Sequence, residues 1–155
     1  MLEMRTTSMP IIYRELFPLL ITPIVWQQKG SIPPLVRLIK AYLSKDAGSV
    51  ISNNQLPQIL GVVQQRLIPS KLNDQHGLEL LEAVVTYVPL PELQRHFRAV
   101  VLTLLNRLQT TRTDKYAHGF THFLCFMMAS TASGLTPDFT ISTFETIQLG
   151  CAYYC

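Results

Sequence analysis

Apolar residues return along this chain at the period of a helix. Val36, Ile39 and Leu43 fall at i, i+3 and i+7. The same spacing recurs in Leu78, Leu81 and Val85, and again in Phe120, Phe123 and Met127. Residues so placed line one face of an α-helix. Other stripes run between them: Leu56, Ile59, Leu60 and Val63, then a longer one of Leu93, Phe97, Val100, Val101, Leu104 and Leu108. No stretch alternates polar and apolar residues for long enough to predict a strand. The pattern predicts an all-α chain with helix pairs at 31–45 with 54–68, 74–88 with 91–110, and 114–133 with 137–149. A leading helix at 11–27 carries Pro18 and Pro23, which should bend or break it. The polar stretch DAGSVISNN, 46–54, reads as the most flexible connection.

The stripes also repeat in register. Val36, Leu78 and Phe120 stand 42 residues apart, as do Ile39, Leu81 and Phe123, and Leu43, Val85 and Met127. The second helices keep the same step through Leu60, Leu102 and Phe144, and through Val63, Leu105 and Ile147. A period of this length with two helices per unit predicts a HEAT/ARM-type α-solenoid. One helix pair cannot bury its apolar faces alone, and stacked pairs make a continuous core. The repeats are placed at about 31–68, 74–110 and 114–149, within a HEAT-repeat segment 11–149. Residues 1–10 read as a disordered or atypical leading stretch and 150–155 as an atypical tail.

The string PSKLNDQHGLELLEAVV, 69–85, sets Asp74 beside His76, which raises the question of an active site. No Ser or Cys stands in a context that would make it a nucleophile for such a pair. Asn73 or Asp74 sits instead where the helix carrying Leu78 and Leu81 must begin. There a short polar side chain accepts from free backbone N–H groups, and a negative charge suits the positive helix end. Thr136, Pro137 and Asp138 repeat the start signal: cap, proline at the first helical position, acid in the first turn.

Composition narrows the function classes. Of 155 residues, 48% are apolar and 15% charged, which gives a folded chain with a sizeable core rather than wholesale disorder. The formal charge of +3 is mildly basic and lacks the clustered Lys and Arg of a nucleic-acid footprint. LFPLLITPIVW and FLCFMMASTASGL are too short to span a membrane, and neither reads as a signal peptide. Three cysteines without a C-x-x-C pair suit a reducing compartment better than a disulfide framework.

Little of the remaining chemistry is enzymatic. His118, His122 and Cys125 share one helical face at i, i+4 and i+7, a spacing zinc can use. No acid lies between the histidines and no fourth ligand is evident, so a small metal-dependent enzyme is a remote alternative and no metal or cofactor is expected. Phosphate-cradling glycine loops are absent. Trp26 reads as a core residue rather than a ligand cage. More suggestive are Gln64, Asn106 and Gln148, again 42 apart, on the second helix of each pair. Stacked, they would form a ladder of amides able to donate to and accept from an extended partner. Arg66, Arg95, Arg98 and Arg107 gather on the same helices. Together these seven residues are the candidate surface for an acidic or polar protein partner.

Three strings carry a family likeness: TPIVWQQKGSIPPLVRLIKAYL (22–43), GVVQQRLIPSKLNDQHGLELLEAVVTYVP (61–89) and LLNRLQTTRTDKYAHGF (104–120). They resemble the CAS exportins, the importin-α re-exporters of the importin-β superfamily, over about 11–148. The resemblance implies a segment from the later part of a long HEAT solenoid. Such receptors bind importin-α and RanGTP together, pass from nucleus to cytoplasm and do no chemistry of their own. The pattern departs from the family at IQLGCAYYC. A generic HEAT scaffold in another assembly is the alternative. Apolar surface at either end of the stack predicts that the isolated chain self-associates.

Overall fold

Proline punctuates the helices of this chain. Pro33, Pro57 and Pro91 stand in the first turns of their helices and Pro137 opens the last one. A helix leaves its first N–H groups without internal partners, so a residue lacking that group costs nothing there. The computed structural model describes residues 9–130 and 134–152. Expectations for 1–8, 131–133 and 153–155 lie outside the described residues. Seven α-helices follow in order: α1 (Ile11–Leu20), α2 (Ile32–Ser52), α3 (Leu56–Val62), α4 (Asp74–Tyr87), α5 (Leu90–Thr110), α6 (Asp114–Ala129) and α7 (Pro137–Ala152). A π turn, Val63–Leu67, extends α3, and two 3-10 turns fill the approach to α2. No strand occurs among the described residues.

The first helices stack as a row. α2 packs on α4 and α4 on α6, while α5 and α6 both pack on α7. All nine first-helix positions in the 42-residue register are buried, none more than 6% exposed. Burying such side chains contributes about 1.5–3 kcal/mol each, so the repeat in sequence is the repeat of the core. The all-α stacked solenoid is therefore the observed architecture.

The second helices keep the register less well. Leu60, Val63 and Ile147 are buried, but Leu102 is 42% exposed. α3 is seven residues followed by a π turn, whereas α5 is an unbroken helix of 21. Elements of such different length cannot present the same face at every step. α5 buries Leu93, Phe97, Val100, Val101 and Leu104 instead.

Two connections differ from expectation. α1 stops at Leu20 rather than continuing to 27, with Pro23 following in the turn, and the Trp26 indole N–H donates to the Leu20 carbonyl at 2.9 Å. Trp26 is buried, as a core residue should be. The stretch 46–54 is mostly helical: α2 continues through it to Ser52, with a break at Asp46 (φ −154°, ψ 53°). The Asp46 carboxylate accepts from the Ser49 N–H at 3.2 Å and the Ser49 hydroxyl at 2.8 Å, restarting the helix as a cap would. Arg14 on α1 pairs with it at 2.7 Å. Burial alone would raise the Asp46 pKa, but the Ser49 hydrogen bonds and the Arg14 charge outweigh it and hold the carboxyl below its usual range. Asn54, at φ 53°, then makes the turn into α3, a left-handed conformation that asparagine tolerates.

Candidate partner-binding face

The second-helix side is organised by a buried ion pair. Pro69 has no N–H, so the helix cannot continue through it, and the Ile68 N–H closes a wide turn onto the Val63 carbonyl at 2.9 Å. That leaves the Ile68 carbonyl facing α5, where Arg107 Nε donates to it at 3.1 Å. Arg107 Nη1 donates to the Thr111 hydroxyl oxygen at 2.6 Å, and Nη2 to Asp74 Oδ2 at 3.3 Å. The Arg107 side chain is 3% exposed and that of Asp74 0%. The guanidinium also lies 5.0 Å from the centre of the Tyr116 ring. The Tyr116 hydroxyl donates to the Leu104 carbonyl at 3.0 Å, and burial pushes its pKa well above the ordinary tyrosine value. Asp74 Oδ1 has no hydrogen-bond partner; Lys115 Nζ lies 3.9 Å from it, near enough for charge attraction only.

This arrangement corrects two expectations. Asn73 occupies the N-cap position of α4 but its side chain makes no capping bond. Asp74 meets the positive helix end by charge and is spent on Arg107 rather than on backbone N–H groups. Arg107, one of the seven surface candidates, is interior: it holds α5 to the ends of α3 and α4. The start signal at Thr136 is made, its hydroxyl oxygen accepting from the Phe139 N–H at 3.2 Å, and Thr113, which the sequence did not single out, caps α6 in the same way by accepting from the Tyr116 N–H at 3.2 Å.

Beside the ion pair, the π turn and the chain that follows it face α5 across a groove of about 650 Å³, lined by Gln64, Thr103, Asn106, Thr110 and Thr111, with apolar Ile68, Pro69 and Leu102 and the buried Arg107. The Thr103 and Thr110 hydroxyls donate to the carbonyls of Ala99 (3.0 Å) and Asn106 (2.7 Å) in their own helix. Their oxygens are left as acceptors. A second groove, of about 230 Å³, lies between the end of α1 and α3, lined by Thr22, Gln58, Gln65 and Arg66 beside Ile21 and Val62. The π turn divides its polar residues between the two, Gln64 to one and Gln65 with Arg66 to the other.

Of the amide ladder, Gln64 and Asn106 thus meet in one groove, and Gln148 is exposed on α7 outside it. Arg66, Arg95 and Arg98 are exposed, Arg95 3.5 Å from Glu92. Gln58, Gln65, Thr103 and Thr110 were not candidates from the sequence. Thr103, Asn106 and Thr110 fall at i, i+3 and i+7, so the apolar-stripe criterion applied to polar residues finds them. His118, His122 and Cys125 form no ligand set. His118 Nδ1 lies 2.8 Å from the Asp114 carbonyl, His122 Nδ1 3.1 Å from Glu82, and Cys125 is exposed. No group of three His, Cys, Asp or Glu placed to hold a metal occurs among the described residues.

Comparison with known proteins bears on the chain as a whole. A family model described as CAS/CSE protein, C-terminus, matches residues 1–153. Exportin-2 of Xenopus laevis is 39% identical over 126 residues, 80% of this chain, and the human Exportin-2 is 34% identical over the same length. Exportin-2 of Drosophila melanogaster is 37% identical over 128 residues. This chain spans 13% of the length of each of these relatives. A solved structure described as the exportin Cse1 in its cargo-free, cytoplasmic state superposes on 94% of the chain with a TM-score of 0.82, at 30% identity and over 15% of that protein.

Proposed function

The chain belongs to the CAS/CSE family of exportins in the importin-β superfamily, and from that premise we propose that it serves as one stretch of a nuclear export receptor. The receptor carries importin-α from nucleus to cytoplasm together with RanGTP. This stretch acts by binding, as a scaffold, and performs no reaction. The observation that carries the reading is the superposition on a solved exportin over nearly the whole chain. The contact surface is the second-helix face, through Gln64, Arg66, Arg95, Arg98, Asn106 and Gln148.

Physical chemistry supports that choice of face. With the buried Asp74–Arg107 pair set aside, α4 presents Glu79 and Glu82 and no Lys or Arg, whereas the π turn and α5 present Arg66, Arg95 and Arg98 against Glu92. Within this repeat the α5 side is therefore the one suited to an acidic partner. The test is capture of purified importin-α by the immobilised chain, with and without RanGTP. Capture that rises with RanGTP is expected. No capture in either condition by a sample that circular dichroism shows to be helical contradicts the reading.

A further inference from the structure

The two grooves that flank α3 share a chemistry. Each holds two side-chain amides and an arginine, and among the described residues neither is lined by a carboxylate or an aromatic ring. They sit on the stretch of the molecule where arginines outnumber acids. We infer that the pair forms one docking track for an extended acidic polypeptide segment, crossing the π turn from one groove to the next.

The wider groove is equipped for backbone. The Gln64 and Asn106 amides both donate and accept, and the Thr103 and Thr110 oxygens are left to accept from a partner's N–H. Buried Arg107 is already bonded to Ile68, Thr111 and Asp74, so its charge is balanced within the fold. The narrower groove supplies the pairing charge. Arg66 is exposed there between Gln58 and Gln65, and a guanidinium with flanking amides suits a carboxylate. Absence of acids makes an acidic chain free of repulsion along the track, and absence of rings removes the stacking platform that single-stranded nucleic acid uses. Packed helices stand roughly 8–10 Å apart and an extended chain rises about 3.3 Å per residue. A segment that crosses one helix width therefore spans about three residues, and carboxylates at that spacing let one of them meet Arg66. The inference rests on reading the chain as a binding scaffold, but not on importin-α as its partner.

Fluorescence anisotropy with the full chain tests it. The probe is a labelled Gly/Ser peptide of roughly twelve residues with glutamate at every third position, and a lysine counterpart is the control. The glutamate peptide is expected to bind and the lysine peptide not to. Binding should weaken at least about fivefold between about 50 mM and 200 mM salt. Arg66→Glu and Asn106→Asp should each weaken it by a similar factor, while Lys40→Glu on α2 leaves it within about twofold. No binding of the glutamate peptide, equal binding of the lysine peptide, or unchanged binding by both groove variants overturns the inference. Tighter binding of a single-stranded oligothymidylate than of the glutamate peptide also overturns it, in favour of nucleic acid. Failure to capture importin-α would leave this result standing, since the peptide assay contains none.

Discussion

Removing Arg107 strands a carboxylate. Asp74 has no exposure, and its one remaining cation, Lys115, is 3.9 Å away and largely in solvent. Breaking a buried pair on one side costs about 3–5 kcal/mol, whereas removing both charges costs far less. Arg107→Met is expected to lower unfolding stability by about that amount, measured by denaturant titration. Asp74→Asn added to it should restore part of the loss. A double variant less stable than the single contradicts the pairing. None of this was legible beforehand: 33 residues separate Asp74 from Arg107, and each alone has an ordinary reading at a helix terminus. Only the fold shows that Ile68, left without a helical successor by Pro69, supplies the carbonyl that fixes Arg107 in place.

At the level of elements, close approach decides where side chains can be added. A Cβ at Gly77 would meet Ile68 Cδ1 at 2.9 Å and Leu67 Cβ at 3.0 Å, and the second of these is held close to its own backbone. At Gly61 the space is open. Alanine in a helix gains roughly 0.5–1 kcal/mol over glycine, and overpacking costs about 1–3 kcal/mol. Gly61→Ala should therefore raise the melting temperature and Gly77→Ala lower it; a rise in both removes the packing argument. The helices themselves were legible because apolar period and proline position both report them. The π turn was not, since its residues VQQRL continue a helical pattern. Nor was the helix through 46–54, where polar composition suggested a loop. There the Asp46 and Ser49 spacing was the missed signal: an acid three residues before a serine can restart a helix as readily as end one.

For the molecule as a whole, the 42-residue step reports the row of first helices almost completely and the second helices only in part. The first helices share one core, so their sequence is constrained at the same positions in each repeat. The second helices differ in length, α3 ending in a π turn where α5 runs unbroken, and Leu102 of the register stands exposed beside the wider groove. α1 presents Ile11, Ile12, Leu16 and Leu19 outward, from 45% to 71% exposed. The isolated chain is accordingly expected to self-associate as concentration rises in sedimentation, and Ile12→Glu with Leu19→Glu to suppress it. Association unchanged by those substitutions places the contact elsewhere.

Hydrogen exchange reads the partner and the face at once. Exchange would be followed for the chain alone and with importin-α and RanGTP added together. Slowed exchange is expected over Leu56–Leu67, along α5 and around Gln148 on α7, with α2, α4 and α6 unchanged. Exchange that is unaltered throughout, or slowed only in α2, α4 and α6, would contradict it.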